Sequence, residues 1–353
     1  SRVLGDVYKR QVQGATVLKP LVGKAGNGPG DAAVLQPILN EQSTAGIVLS
    51  NGINPLYGKI DPYHMAMNAV DEALRNLTAV GGDIERAAIL DNFCWGNPID
   101  PIQLGMLVRA VKGCHDAAVG FSTPFISGKD SLNNEYRRDG QRIPVIPTLL
   151  ISAVSVIDDA AQTIDMSLKA PGNLFYQVGT TRNELAGSHY MEMVEEEIAG
   201  TTVPHVDVAH AQSLMRALGT AIRKGLVLTC HDLSEGGLAV AAAEMSLAGL
   251  LGVIIDVGRI AVLTPPDDTG TTLSPALINT ILLFSESASR FLVEIAPEQQ
   301  DAFEAQMQAL GVADFVYLGM VNETNRFVIQ NGDEILIDLP LSELQQAWKG
   351  EQA

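Results

Sequence analysis

Positive charge is scarce in this sequence. Of 353 residues, 23 are lysine or arginine and 41 are aspartate or glutamate, a formal charge of −18. Non-specific binding to nucleic acid or to an anionic membrane needs basic surface, so this balance argues against both. A phosphorylated small molecule remains compatible, because backbone amides and Mg²⁺ can hold phosphate inside an acidic protein. Cysteine is also sparse. Cys94, Cys114 and Cys230 are odd in number, widely spaced and without a C-x-x-C, a pattern of reduced thiols in a cytoplasmic protein rather than of a disulfide framework or a zinc site. No signal peptide is visible. The most apolar stretch, Gly236 to Val257, is interrupted by Glu244, Gly249 and Gly252, which predicts a buried helix and then a core strand, not a membrane span. G-x-S-x-G, H-E-x-x-H and the G-K-[ST] of a Walker A loop are missing, which removes support for serine-hydrolase, zincin and P-loop chemistry. His64, His189, His205 and His210 show no metal-ligand spacing.

Hydrophobic residues make up 46 %, enough for a real core. The length suits about two domains. Strands and helices alternate. Strands are expected at 46–50, 86–90, 124–127 and 145–157, with helices opening at Asp61-Pro62 and Asp100-Pro101, each an N-cap followed by proline. Leu104, Leu107, Val108 and Val111 define the expected core face of the second helix. Lys169-Ala170-Pro171-Gly172 marks a boundary. Beyond it come strands at 174–178, 226–229, 253–256, 283–284 and 290–295, helices at 208–224, 235–250 and 297–310, and a terminal β cluster. The class is α/β (α+β). The expected division is a tail or linker at 1–25, domains at 26–168 and 169–340, and a C-terminal tail at 341–353. Residues 1–11 fit no pattern.

Five polar clusters could carry chemistry. Gly26 to Asp31 is glycine-rich and ends in a carboxylate; it reads as a phosphate cradle or as a plain turn. Glu72 and Asn76 are four apart on one helix face, an oxygen pair suited to Mg²⁺ or simply to solvent. Asp91-Asn92 follows a strand, where α/β folds bind ligands, or caps its end. Gly128-Lys129-Asp130-Ser131 sets amides, a cation, a carboxylate and a hydroxyl side by side after another strand. His231-Asp232-Leu233-Ser234-Glu235-Gly236-Gly237 runs from a strand into a helix N-terminus, a ready phosphate site, unless Ser234 merely caps the helix.

These clusters carry a resemblance. Segments 26–35, 71–83, 89–98, 125–136, 230–245 and 283–295 occur in the order found in the second half of the synthetase region of phosphoribosylformylglycinamidine synthases. Those enzymes resemble aminoimidazole ribonucleotide synthetase, selenophosphate synthetase and thiamine-monophosphate kinase. The resemblance covers nearly the whole chain. It implies an aminoimidazole ribonucleotide synthetase-like N-terminal-type domain, whose sheet pairs into a barrel across a dimer or pseudodimer, followed by a C-terminal-type domain.

It also implies ATP- and Mg²⁺-dependent amidation of formylglycinamide ribonucleotide with glutamine-derived ammonia, a ligase step of purine synthesis. The amide oxygen is phosphorylated, ammonia displaces phosphate, and ADP is released. By position, the resemblance assigns Asp31, Glu72, Asn76 and Asp232 to Mg²⁺. It assigns Gly30, Asp91, Gly128, Ser234, Gly236 and Gly237 to the nucleotide, and Ser131, Lys129 and Asp130 to the substrate. Small members of the family carry asparagine where this chain has Lys129. The catalytic histidine motif belongs to the family's first half, which has no counterpart here, and the glutaminase is absent too. The implied partners are therefore that first half and a glutaminase domain or subunit. Either this half completes an ATP site, or it is a non-catalytic half that holds a structural nucleotide and scaffolds its partners.

Overall fold

The computed structural model describes residues 15–37, 43–194, 198, 200–263 and 273–350. Residues 1–11 lie outside the described residues.

The first domain is a six-stranded sheet with helices on one face. Its strands are β1 (Thr16–Leu18), β2 (Ala32–Leu35), β3 (Gly46–Ile53), β4 (Ala87–Trp95), β5 (Phe125–Leu132) and β6 (Thr148–Ile157), in the order β1-β2-β3-β6-β4-β5. Burial alternates along β3 and β6, as expected of a sheet covered on one side. The covering helices are α1 (Pro62–Ala79) and α2 (Pro101–Phe121). Asp61 caps α1, accepting from the N–H groups of Tyr63 and His64, and Asp100 caps α2. Helix α1 lies almost on the sheet backbone at Gly52, where a Cβ would come within 2.1 Å of the Ala69 carbonyl oxygen. The opposite sheet face is bare enough that Leu49, Ile53 and Val156 are 36–41 % exposed.

The second domain is a seven-stranded sheet between helices. Its strands are β7 (Leu174–Val178), β8 (Thr229–Asp232), β9 (Gly252–Asp256), β10 (Phe291–Ile295), β11 (Phe315–Asn322), β12 (Arg326–Asn331) and β13 (Glu334–Pro340), in the order β8-β10-β7-β11-β9-β12-β13. Helices α3 (Val208–Arg223) and α6 (Gln300–Ala309) share one core with the first domain. Helices α4 (Gly237–Gly249), α5 (Pro275–Phe284) and α7 (Leu341–Lys349) cover the other face. Because the first core runs from Val48 through α1 and α3 to Met307, the two domains meet in an apolar seam.

Several expectations are corrected. Leu283 and Phe284 end a helix rather than forming a strand, because Ser274 caps and Pro275 opens α5 upstream. The strand expected at 226–229 begins at Thr229, after a turn at Gly225 (φ 72°), and so takes in His231 and Asp232. Asp91-Asn92 and Gly128 to Ser131 lie within β4 and β5, not in loops after them. On α2, Leu104, Val108 and Val111 are 46–50 % exposed. The buried face is Ala110, Gly113, Cys114, Ala117 and Phe121, because small residues let α2 approach α1 near Tyr63. The terminal segments are not simply tails: Thr16–Leu18 pairs with β2, and Leu341–Lys349 is a helix with Leu341 buried.

Candidate metal and nucleotide site

Helix α1 is buried on almost every side, since it is pressed between its own sheet and the second domain. Its polar residues Asp71, Glu72 and Arg75 are therefore inside the protein and must find partners there. Arg75 finds one at the end of β8, Asp71 in Arg75 and Ser289, and Glu72 at the end of β3. The Arg75 guanidinium donates to Asp71 Oδ2 at 2.7 Å and to Asp232 Oδ2 at 3.2 Å. Asp71 is also held by the Ser289 N–H at 3.0 Å and hydroxyl at 2.5 Å. Asp31, from the turn before β2, accepts at Oδ1 from the Asp232 N–H at 3.0 Å. His231 Nδ1 lies 2.7 Å from that same oxygen, and its Nε2 lies 3.0 Å from Glu244 Oε2 on α4.

Five carboxylates, Asp31, Asp71, Glu72, Asp232 and Glu244, thus surround two cationic side chains, Arg75 and His231. Burial, and with it the excess negative charge, shifts the pKa values of these groups. Burial pushes the Glu72 carboxyl up to about 8, against the pull of Arg75 and with the push of Asp232. Burial likewise raises Asp232 to about 6, with Arg75 opposing and Asp31 adding to the rise. For His231 burial works against the cation, but the charges and hydrogen bonds of Asp31 and Glu244 hold its pKa well above the usual range.

A divalent cation fits this site. Asp31, His231 and Asp232 each present a ligand atom within 4.8 Å of the others. Asp31 Oδ2 is buried and has no hydrogen-bond partner. The donors are mostly oxygens, which suits Mg²⁺. Glu72 Oε2 accepts from the Ile53 N–H at 2.9 Å and Asn54 Nδ2 at 2.7 Å, which fixes its orientation. Asn76 is one turn further along α1, where its Nδ2 donates to the Asn51 carbonyl at 2.9 Å. The structure therefore gathers Asp31 and Asp232, with Glu72 held beside Ile53 and Asn54 and Asn76 one turn beyond it.

The turn after β8 completes the seam. The helix N-cap is Gly236, with no side-chain cap, so Ser234 does not cap α4. The Ser234 hydroxyl and the N–H groups of Ser234 and Glu235 have no partner among the described residues. The diglycine is differently engaged. Gly236 N–H donates to Glu286 Oε1 at 2.9 Å, and Gly237 N–H to the Ser234 carbonyl at 3.0 Å. A Cβ on Gly237 would come within 2.4 Å of the Ser285 carbonyl oxygen, so packing alone requires glycine there. Gly30 precedes Asp31 and is pinned by its N–H to the Pro20 carbonyl at 2.7 Å.

The remaining candidates form a second group at the sheet edge. Asp91 and Gly128 are cross-strand neighbours on β4 and β5. A Cβ at Gly128 would lie 2.2 Å from Asp91 Oδ1. Burial and then the charge of Asp130 raise the Asp91 pKa, and burial and then the charge of Asp91 raise that of Cys114 on α2. Lys129 donates to Ser131 Oγ on the alternate face of β5. In strand order β6 separates β3 from β4, so this group sits two to three strands, about 10–15 Å, from Asn51 and Asn76. The site is thus two groups, one at the seam and one at the sheet edge. A cleft of about 570 Å³ between Leu56 and Met191 is lined by neither.

Sequence reasoning assigned no role to Arg75, Asp71, Glu244, Tyr57 or Glu286. Asp71 and Arg75 at i,i+4 were a readable ion-pair signal. Glu286, which accepts from Gly236, from the His189 N–H and from the Tyr57 hydroxyl at 2.6 Å, is joined to them only by the fold.

Two family descriptions match the chain: AIR synthase related protein, N-terminal domain, over residues 29–154, and the corresponding C-terminal domain over residues 170–331. Phosphoribosylformylglycinamidine synthase subunit PurL of Synechococcus elongatus is 32 % identical over 97 % of this chain and 43 % of that protein. The PurL subunit of Methanocaldococcus jannaschii is 31 % identical, also over 97 % of this chain and 43 % of its own length. The chain therefore spans less than half the length of these relatives. Among solved structures, Thermotoga maritima PurL complexed with FGAR matches with a TM-score of 0.70 at 18 % identity, covering 92 % of this chain and 49 % of that one. PurL of the same organism complexed with ADP matches with a TM-score of 0.66 at 20 % identity, covering 90 % and 46 %. These likenesses establish the fold. Among the described residues, no helix is long and apolar enough to cross a membrane.

Proposed function

The chain belongs to the AIR synthase related family, with its N-terminal and C-terminal domains in order, and from that premise we propose that it is one half of a phosphoribosylformylglycinamidine synthase. In this reading it works with a first half and a glutaminase. Together they amidate formylglycinamide ribonucleotide with ATP and glutamine-derived ammonia. The observation that carries the reading is the seam, where Asp31, His231 and Asp232 converge beside the free donors of the Ser234 turn, with Glu72 near enough to feel the charge of Asp232. Asp31, Glu72, Asn76 and Asp232 would hold Mg²⁺, which would neutralise phosphate charge. Ser234, Gly30, Gly236 and Gly237 would bind the polyphosphate. Asp91 and Gly128 would meet the rest of the nucleotide at the sheet edge, and Lys129, Asp130 and Ser131 the substrate. The work asked of this half is positioning and charge neutralisation, not covalent chemistry. Its bare sheet face, with Leu49, Ile53 and Val156, would receive the first half.

Calorimetry with Mg-ADP tests the nucleotide reading. Asp232→Asn should lose at least about tenfold in affinity while keeping its far-ultraviolet circular dichroism; unchanged affinity would refute it. Ammonia-dependent turnover by the purified chain alone would refute the half-site reading.

One observation favours a retained, structural nucleotide. Glu72, His231 and Asp232 are all less than 10 % exposed, so a ligand there would exchange slowly. Nucleotide recovered from acid-quenched protein after long dialysis would support that role; complete loss on dialysis would favour the exchanging, productive site.

A further inference from the structure

His231 engages a carboxylate at each ring nitrogen, and the metal reading above leaves it out of the ligand set. Its side chain is 7 % exposed and lies between Asp31 of the first domain and Glu244 of α4. Both ring nitrogens face carboxylate oxygens, Nδ1 at 2.7 Å and Nε2 at 3.0 Å. A carboxylate cannot donate when ionised, so both nitrogens act as donors and neither keeps a lone pair for a metal. The two oxygens of Asp31 are therefore unequal. Oδ1 takes the imidazole and the Asp232 N–H, whereas Oδ2 is buried without a partner. A carboxylate free to rotate would exchange its two oxygens; here two donors from one dipeptide hold one oxygen and present the other.

We propose that His231 is a positioning residue rather than a metal ligand: braced by Glu244, it fixes Asp31 through Oδ1 so that Oδ2 faces the cation. This rests on the metal reading above and deepens it. The same geometry explains how a histidine can stand within ligand distance of two carboxylates without ligating. The brace also ties the site to α4, since Glu244 lies two turns into the helix that follows the Ser234 turn.

The test uses Mn²⁺ as a spectroscopic stand-in for Mg²⁺, titrated into the whole chain and followed by electron paramagnetic resonance. Asparagine carries its amide nitrogen near the position of histidine Nδ1, and glutamine carries its own near Nε2. His231→Asn should keep the bond to Asp31 and hold Mn²⁺ affinity within about threefold of wild type. His231→Gln should lose that bond and about 10–100-fold in affinity, the usual cost of removing a partner of a metal ligand. Equal affinities for the two variants, both weakened or both intact, would overturn the proposal. Glu244→Ala keeps His231 and removes only its brace. Because the bond to Asp31 survives there as it does in His231→Asn, it should weaken Mn²⁺ by no more than about threefold, and a loss as large as that of His231→Gln would also overturn the proposal. A wild-type chain that binds no Mn²⁺ would instead remove the metal reading itself, a result separate from any ordering of the variants.

Discussion

Asp31 and Asp232 belong to different domains, 201 residues apart, yet the backbone N–H of Asp232 donates to Asp31 Oδ1 at 3.0 Å. Two carboxylates can stay this close because Arg75 and His231 lie against them from opposite sides. The seam is thus held by the same charges that would bind a cation, and stability and binding should respond together.

Arg75 is buried between Asp71 and Asp232. Arg75→Met would leave both carboxylates inside the seam without a cation. The loss expected in urea unfolding is about 3–5 kcal/mol, typical of breaking a buried pair on one side. A loss below about 1 kcal/mol would mean that the triad does not tie the domains together.

Glu72 has its folded pKa raised by burial to about 8 from an ordinary 4.5. The protonated form is the one the fold favours. Its contribution to stability is fully present below pH 4.5 and is lost as pH rises through 8. In metal-free buffer, Glu72→Gln should therefore raise the melting temperature relative to wild type, with a gain that grows from pH 5 to pH 8.5. A gain that shrinks with rising pH would contradict the assignment.

The same two raised carboxyls predict proton-linked metal binding. A cation that needs Glu72 and Asp232 ionised must displace their protons between pH 6 and 8. Mg²⁺ affinity should climb across that range. Calorimetry in buffers of different ionisation enthalpy should show net proton release; zero release at pH 7 would rule out these two residues as ligands.

At Gly52 the obstruction is backbone, not a flexible side chain. A Cβ there would meet the Ala69 carbonyl oxygen at 2.1 Å and the Ala73 nitrogen at 2.7 Å. Gly52→Ala must lift α1 off the sheet, at a cost of about 1–3 kcal/mol or more in chemical unfolding. Because α1 carries Glu72 and Asn76, Mg-ADP affinity should fall as well.

Leu49 tests the bare sheet face. It is 41 % exposed on β3, an interior strand of the sheet, and replacing it with glutamate removes nothing from the core. Leu49→Glu should leave the melting temperature within about 1 °C of wild type. It should also prevent co-elution with a first-half partner in gel filtration. Normal co-elution would place the partner elsewhere.

Much of the fold was legible in the sequence because local signals were strong. Asp61-Pro62 and Asp100-Pro101 opened helices where expected, and residues 174–178 formed the expected strand. The errors arose where two periodicities competed. Of the aliphatic stripe of α2 only Leu107 packs against the core, while Leu104, Val108 and Val111 are exposed, because close helix approach at Gly113 outweighed the burial of larger side chains. Asp91 and Gly128 read as lying after their strands because polar residues usually end strands, yet both continue one, Gly128 on the edge strand and Asp91 on the strand beside it.

By itself the sequence determined which residue types were available: an excess of carboxylates, a few glycine-rich turns, and alternating strands and helices. Those follow from composition and short-range spacing, which the chain carries along its length. Only the tertiary structure decided that α1 would be buried against β8, and so which carboxylates would meet. Pairing Asp31 with Asp232 requires closure of a loop of some 200 residues, and the apolar seam between the domains supplies the driving force for it.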